Sequence, residues 1–180
     1  MVTLNRVFVL ALGALAVGLL AFFGARTISD DDGGGTVKVA DQGFTLDYPG
    51  AWTPISKEKL ALYPGSPVLA LEREGNSGLF VVRKESKAAP TKASFGDELD
   101  KEISDRVPDY KPGSVSTVKT AAGPAFYFSY ARKKAGTANS IVVVPDGNSS
   151  FVLESASAAD DRDAAKDIAE MIGSFGVNHS

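Results

Sequence analysis

Few residues in this chain are of a type that does chemistry. His179 is its only histidine and stands second from the end. A terminus that frays is a poor place for a catalytic base. Without another histidine a Ser-His-Asp triad has no base, and histidine-rich zinc sites lack their ligands. No cysteine occurs, which removes disulfides, zinc–thiolate sites, a thiol nucleophile and lipid attachment at a cysteine. Carboxylates remain: Asp97 with Asp100, and Asp160, Asp161 and Asp163. All fall where helices are expected to begin, so capping and the helix dipole account for them without catalysis. Asp30–Asp32 has the look of a calcium-loop start, but Gly34 falls where another oxygen ligand is wanted and no bidentate Glu closes the loop. Neither a G-x-x-x-x-G-K-S/T loop nor a G-x-G-x-x-G after a strand is present. The expectation is no cofactor, no metal and no catalytic residue.

Residues suited to binding are easier to find. "LYPGSP" (62–67) is a stiff loop with Tyr63 near its start. "ARKKAG" sets Arg132, Lys133 and Lys134 in a row near an expected hairpin tip. Aromatic and arginine side chains are enriched among residues that dominate binding energy. Tyr63, Arg132, Lys133 and Lys134 are therefore the candidate binding residues, against the plainer readings of a simple connection and a solvated turn. Trp52, alone of its type and just past a turn, reads as a core plug in preference to a stacking platform.

These residues must be placed by a folded body, and the chain has 180 residues for it. The stretch Val7–Ala25 carries no charged or strongly polar side chain. As a helix it would rise about 28 Å at 1.5 Å per residue, close to the roughly 30 Å hydrocarbon core of a bilayer. Cleavage after Ala25 or Gly24 would place Phe23 or Phe22 at the −3 position, which wants a small residue. This favours an uncleaved signal-anchor over a removed leader. The reading is then a cytoplasmic tail (1–6), a transmembrane segment (7–25), a flexible Asp/Gly linker (26–36) and an extracytoplasmic domain (37–180). Net charge is −3. Outside the anchor flanks and linker, 17 basic residues face 19 acidic ones, so no footprint for nucleic acid follows.

Period-two patterns and turn residues mark the strands. They are "TVKVAD", "GFTLDY" ended by Pro49-Gly50, "PVLALERE", "GLFVVRKES", "VSTVKTAA", "GPAFYFSYARKK", "NSIVVVP" and "SSFVLESAS". "EGNSG" and "PDGNS" read as hairpin turns. One helix is expected from Ser94, with Phe95, Leu99, Ile103 and Val107 as its apolar stripe and Pro108 as its stop. A second starts near Asp160 or Asp161 and lines up Ala164, Ile168, Met171, Ile172 and Phe175. About seven strands and two principal helices predict an α+β domain with a mainly antiparallel sheet. Trp52, Phe95, Phe126, Phe128 and Phe175 are expected in the core.

"GFTLDYPGAW" resembles the aromatic-x-hydrophobic-x-Tyr-Pro-x-x-Trp opening of PsbP-like domains, the Mog/PsbP-like superfamily. "GPAFYFSY", "SIVVVPDGNSSFVLESAS" and the closing "MIGSF" extend the resemblance over most of residues 37–177. It implies an αβα sandwich, and a role in binding or organising partners. The chain departs from the Lpq-type lipoproteins of that group in lacking a lipobox cysteine. It departs from the nuclear Ran-binding members in carrying an apolar N-terminal segment, and its histidine lies outside the domain body. The functional expectation is a membrane-anchored, non-catalytic binding or assembly module at the bacterial cell envelope, its partner an envelope protein, a lipid or a small apolar ligand. Two alternatives stay open: a hydrolase using Asp, Glu, Ser or Lys, and a secreted binding protein freed by cleavage.

Overall fold

Pro49 lacks the N–H that a strand ladder needs, and the chain turns there, with Trp52 N–H donating back to the Pro49 carbonyl at 3.0 Å. The structure showing this is a computed structural model that describes residues 35–39, 43–63, 65–90 and 94–178, with side chains for all of these but 35–39, 94 and 95. The expected anchor 7–25, most of the linker, the Ser94 cap, the Phe95 side chain and His179 lie outside the described residues. Among those described, no helix is long and apolar enough to cross a membrane.

The elements in order are β1 (Gly35–Val39), β2 (Phe44–Tyr48), β3 (Trp52–Pro54), the short α1 (Lys57–Leu60), β4 (Leu69–Arg73) and β5 (Gly78–Glu85). There follow α2 (Ser94–Arg106), β6 (Tyr110–Thr120), β7 (Gly123–Arg132), β8 (Thr137–Asp146), β9 (Ser149–Ala158), α3 (Arg162–Ser174) and β10 (Gly176–Val177). Seven strands form the main sheet in the order β3-β4-β5-β9-β8-β7-β6, every neighbouring pair antiparallel. The α+β class and the mainly antiparallel sheet are as expected. One difference is that β1 and β2 leave the main sheet and join β10 in a separate three-stranded one. Side-chain packing holds them there, since the Phe44 ring stacks on Phe175, just before β10, at 5.3 Å.

The two long helices lie on opposite faces of the sheet, and strand alternation decides which residue meets which helix. On the α3 face, Val142, Val144, Phe151 and Leu153 pack with Ile168, Met171, Ile172 and Phe175. On the α2 face, Phe128, Tyr130, Ile141, Val143 and Val152 pack with Leu99, Ile103 and Val107. Both faces of β8 and β9 are thus covered, which makes the sheet the centre of a sandwich. Phe126, expected in the core, is only partly buried at the margin of the α2-side cluster. Trp52 is 1% exposed. Its indole N–H donates to Asp167 Oδ2 at 2.9 Å, and the Arg73 guanidinium bridges Asp167 and Asp161. The ring plugs the core and pins β3 and β4 to α3.

Helix α3 begins where its sequence says it should. The Asp161 carboxylate accepts the Ala164 N–H at 2.9 Å, a side-chain N-cap. That hydrogen bond, together with the Arg73 charge, holds the Asp161 carboxyl below its ordinary range.

Candidate functional site

The α3 face of the sheet changes character along its strands. Register aligns Tyr127, Val142 and Leu153 in one cross-strand row, then Ser129, Ser140 and Ser155, then Ala131, Ala138 and Ser157. The first row is large and apolar; the next two are small. Helix α3 crosses this face obliquely. It enters after β9 and leaves beside the β6–β7 turn, where Ala122 N–H donates to the Phe175 carbonyl at 3.0 Å. Small side chains and an oblique helix together leave a groove of about 410 Å³. Lys111, Pro112 and Gly113 of β6 form one wall, Ala165 and Ile168 of α3 the other, and the serine and alanine rows the floor.

Hydroxyls order that floor. Ser140 and Ser155 share a hydrogen bond of 2.7 Å between their Oγ atoms. Ser129 Oγ accepts the Ser114 N–H at 2.9 Å and lies 3.0 Å from Ser114 Oγ. Gly113 is required at the β6 wall, because a Cβ there would sit 2.5 Å from Ser129 Oγ and 2.6 Å from the Ser129 carbonyl oxygen. The β6 register shifts between Pro112 and Val115 at this point, a bulge that brings the Gly113 backbone against Ser129. The lining offers hydroxyl donors and acceptors, aromatic edges and one cation, Lys111, and it contains no carboxylate. Such a surface can hold a ligand.

The four residues singled out in the sequence do not form one patch. Tyr63 is 8% exposed and packs with Ala70, Leu79 and Val81. Its hydroxyl donates to Glu72 Oε1 at 3.1 Å, and burial with the Glu72 charge pushes the phenol up. The turn after α1, in which Tyr63 N–H donates to the Leu60 carbonyl at 3.1 Å, folds the ring inward. Arg132 is 6% exposed and pairs with Asp109 at 3.2 Å. Burial raises the Asp109 carboxyl, but hydrogen bonds from the Ala135 and Lys134 amides and from Arg132 outweigh it and leave the carboxyl below its ordinary range. Arg132 is thus a clasp for the turn and not a surface cation. Lys133 and Lys134 are exposed, at the end of the strand that carries Ser129 and Ala131.

One further feature was not foreseen. Arg83 and Glu154, from neighbouring strands, form a buried ion pair on the α2 face. Burial drives the Glu154 carboxyl up, to about 7, against the pull of Arg83 and with a push from Glu85. Glu154 Oε2 has no hydrogen-bond partner among the described residues. The pair lies on the side of the sheet opposite the groove, so its carboxylate does not serve the groove.

No protein-family model matches the chain, and no curated protein matches it. Solved structures do resemble it. The cyanobacterial PsbP protein (CyanoP) of Synechocystis sp. PCC 6803 aligns over 86% of this chain and 98% of its own, with a TM-score of 0.57 and 10% identity. The Ran-binding protein Mog1p of Saccharomyces cerevisiae aligns over 82% and 96%, with a TM-score of 0.51 and 10% identity. LpqN of Mycobacterium tuberculosis, involved in cell envelope biogenesis, aligns over 81% and 91%, with a TM-score of 0.48 and 19% identity. Sharing so little sequence and so much of the chain path with the first two of these, this protein is built on the PsbP-like fold.

Proposed function

We propose that this chain is a membrane-tethered, extracytoplasmic binding module that seats a partner in the groove beside α3, at the bacterial cell envelope, and performs no catalysis. The observation that carries the reading is the groove: about 410 Å³, floored by aligned serine and alanine rows and lined by no carboxylate. A fold neighbour is a Ran-binding protein, so protein binding is within the repertoire of this architecture, while the partner of each member is set by its own surface. The tether rests on the length and composition of residues 7–25.

The test uses the full chain in its own membrane. A photo-crosslinking residue placed at Ala138, on the groove floor, is expected to capture a discrete partner; the same probe at Lys101, exposed on α2, is not. Equal capture from both positions, or none from Ala138, removes the groove as the seat. N-terminal analysis of the membrane fraction is expected to find residues 1–25 attached, and a mature chain starting near Arg26 would replace the tether with secretion.

A further inference from the structure

The walls of the groove carry cations that no ion pair among the described residues uses. Lys111 stands on the β6 wall. Lys133 is the first residue past β7, and its N–H donates to the Asp109 carbonyl at 3.2 Å, one step beyond the Tyr110–Arg132 pair and beside the β6 wall. The turn it begins is tied to the approach of α3 by Ala159 N–H donating to the Gly136 carbonyl at 2.8 Å.

The α3 wall is sorted by charge. Ala165 lines the groove, and Asp167 faces the opposite flank, where it holds Trp52 and Arg73. At about 100° per residue, Arg162 and Ala169 fall within about 60° of Ala165, while Asp163 and Glu170 fall within about 60° of Asp167. Within the helix, Arg162 is the charged residue on the groove flank and Asp163, Asp167 and Glu170 are turned away from it; Asp160, exposed just before the helix, stands at the same end. Arg162, like Lys111 and Lys133, is exposed.

We infer that the groove's partner is an extended acidic peptide segment with small side chains, laid across β6, β7, β8 and β9 between the Lys111 wall and the Arg162 wall. This rests on the reading of the groove as the partner's seat. Three strand spacings of about 4.8 Å give a span near 14 Å, which about four extended residues at 3.3 Å each would fill. Serine hydroxyls along that span can meet main-chain N–H and C=O groups alike, and alanines at 131 and 138 leave room for the backbone to approach. A peptide is favoured over a lipid headgroup by the floor, where hydroxyls recur across three strands and suit the repeating N–H and C=O groups of a main chain more than a single phosphate.

The experiment uses the full chain in nanodiscs of zwitterionic phosphatidylcholine. The probe is a fluorescent octapeptide of alternating aspartate and alanine, with the asparagine–alanine octapeptide as control. The aspartate peptide is expected to bind and the asparagine peptide not. Affinity is expected to fall between about 50 and 500 mM salt, as exposed charges are screened. The triple substitution Lys111→Gln, Lys133→Gln, Arg162→Gln, all at the surface, should weaken binding at least about tenfold and flatten the salt dependence. Ala138→Trp, which fills the floor, should weaken binding at every salt concentration and leave the slope unchanged.

Equal binding of both peptides, or an affinity untouched by the triple substitution, overturns the inference. Binding of phosphatidylglycerol vesicles through the same three cations, with no binding of the aspartate peptide, assigns the site to a headgroup and also overturns it. If the Ala138 crosslinker captures a partner while the aspartate peptide fails to bind, the seat stands and the peptide chemistry falls. If neither occurs, both fall.

Discussion

The two ends of the α3 face are made from the same strands and covered by the same helix, yet one is closed and the other open. At the closed end Phe151 and Phe175 meet edge to face at 5.3 Å, Phe44 stacks on Phe175, and all three are fully buried. At the open end the equivalent positions hold Ser129, Ser140, Ser155, Ala131 and Ala138, and α3 walls them on one side without filling the space. Within β8 and β9 backbone geometry does not distinguish the ends, because their ladder runs without a break through both. Side-chain volume does. One end buries aromatic area and supplies stability; the other forgoes that burial and presents hydroxyls on a fixed sheet.

The largest expected effect breaks the closed end. Phe151→Ala should cost about 3–5 kcal/mol through lost burial and the cavity left behind, seen as a fall in Tm of roughly 10 °C for a domain of this size. An unchanged Tm would mean that the aromatic end is not what holds α3 to the sheet.

The opposite face sharpens the contrast, because there the same strands bury charge. Arg83→Met alone should destabilise by about 3–5 kcal/mol by stranding Glu154, whereas Arg83→Met with Glu154→Leu should return to within about 1 kcal/mol of the native protein or exceed it. Denaturant melts of the two variants decide this, and equal losses in both would show that the pair contributes net stability.

The same carboxyl predicts a pH dependence. The folded-state pKa of Glu154 is raised, from 4.5 to about 7, so the folded protein holds this proton more tightly than the unfolded chain. Its contribution is complete below about pH 4.5 and is lost as pH climbs toward 7. Asp109 and Asp161 have lowered pKa values and act with the opposite sign, losing their contribution as pH falls through the acid range. Stability measured from pH 5 to 7.5 should decline, and Glu154→Gln should flatten that decline. A native slope that survives the substitution assigns it to other groups.

The smallest expected change is at the open end. Ala138→Trp should leave Tm within about 1 °C of the native value, since exposed substitutions away from packed features stay within about 0.5 kcal/mol. A loss comparable to that of Phe151→Ala would erase the distinction between the two ends.

Local pattern made much of this molecule legible. The stripe Leu99, Ile103 and Val107, the cap at Asp161, the turn at "PDGNS" and the alternation in β7 depend on neighbours a few residues apart, and each is where the pattern put it. The burial of Trp52 followed from its size and its place after a turn. Arg132 reads as a surface cation until Asp109, 23 residues upstream, is brought beside it. Tyr63 reads as a loop residue until the turn after α1 lays its ring on β4 and β5. The groove had a faint signal, S-x-A in β7, A-x-S in β8 and S-x-S in β9, small pairs at period two. Nothing local says that they align. Composition and periodicity by themselves determined the class of fold, the helices, the turns and the poverty of catalytic groups, because those are properties of short windows of chain. Only the tertiary structure decided that β1 and β2 leave the main sheet, that Arg132 turns inward, and that three serines from three strands form one floor. Register and helix crossing are fixed by contacts between residues far apart in sequence, and they exist only once the chain has closed on itself.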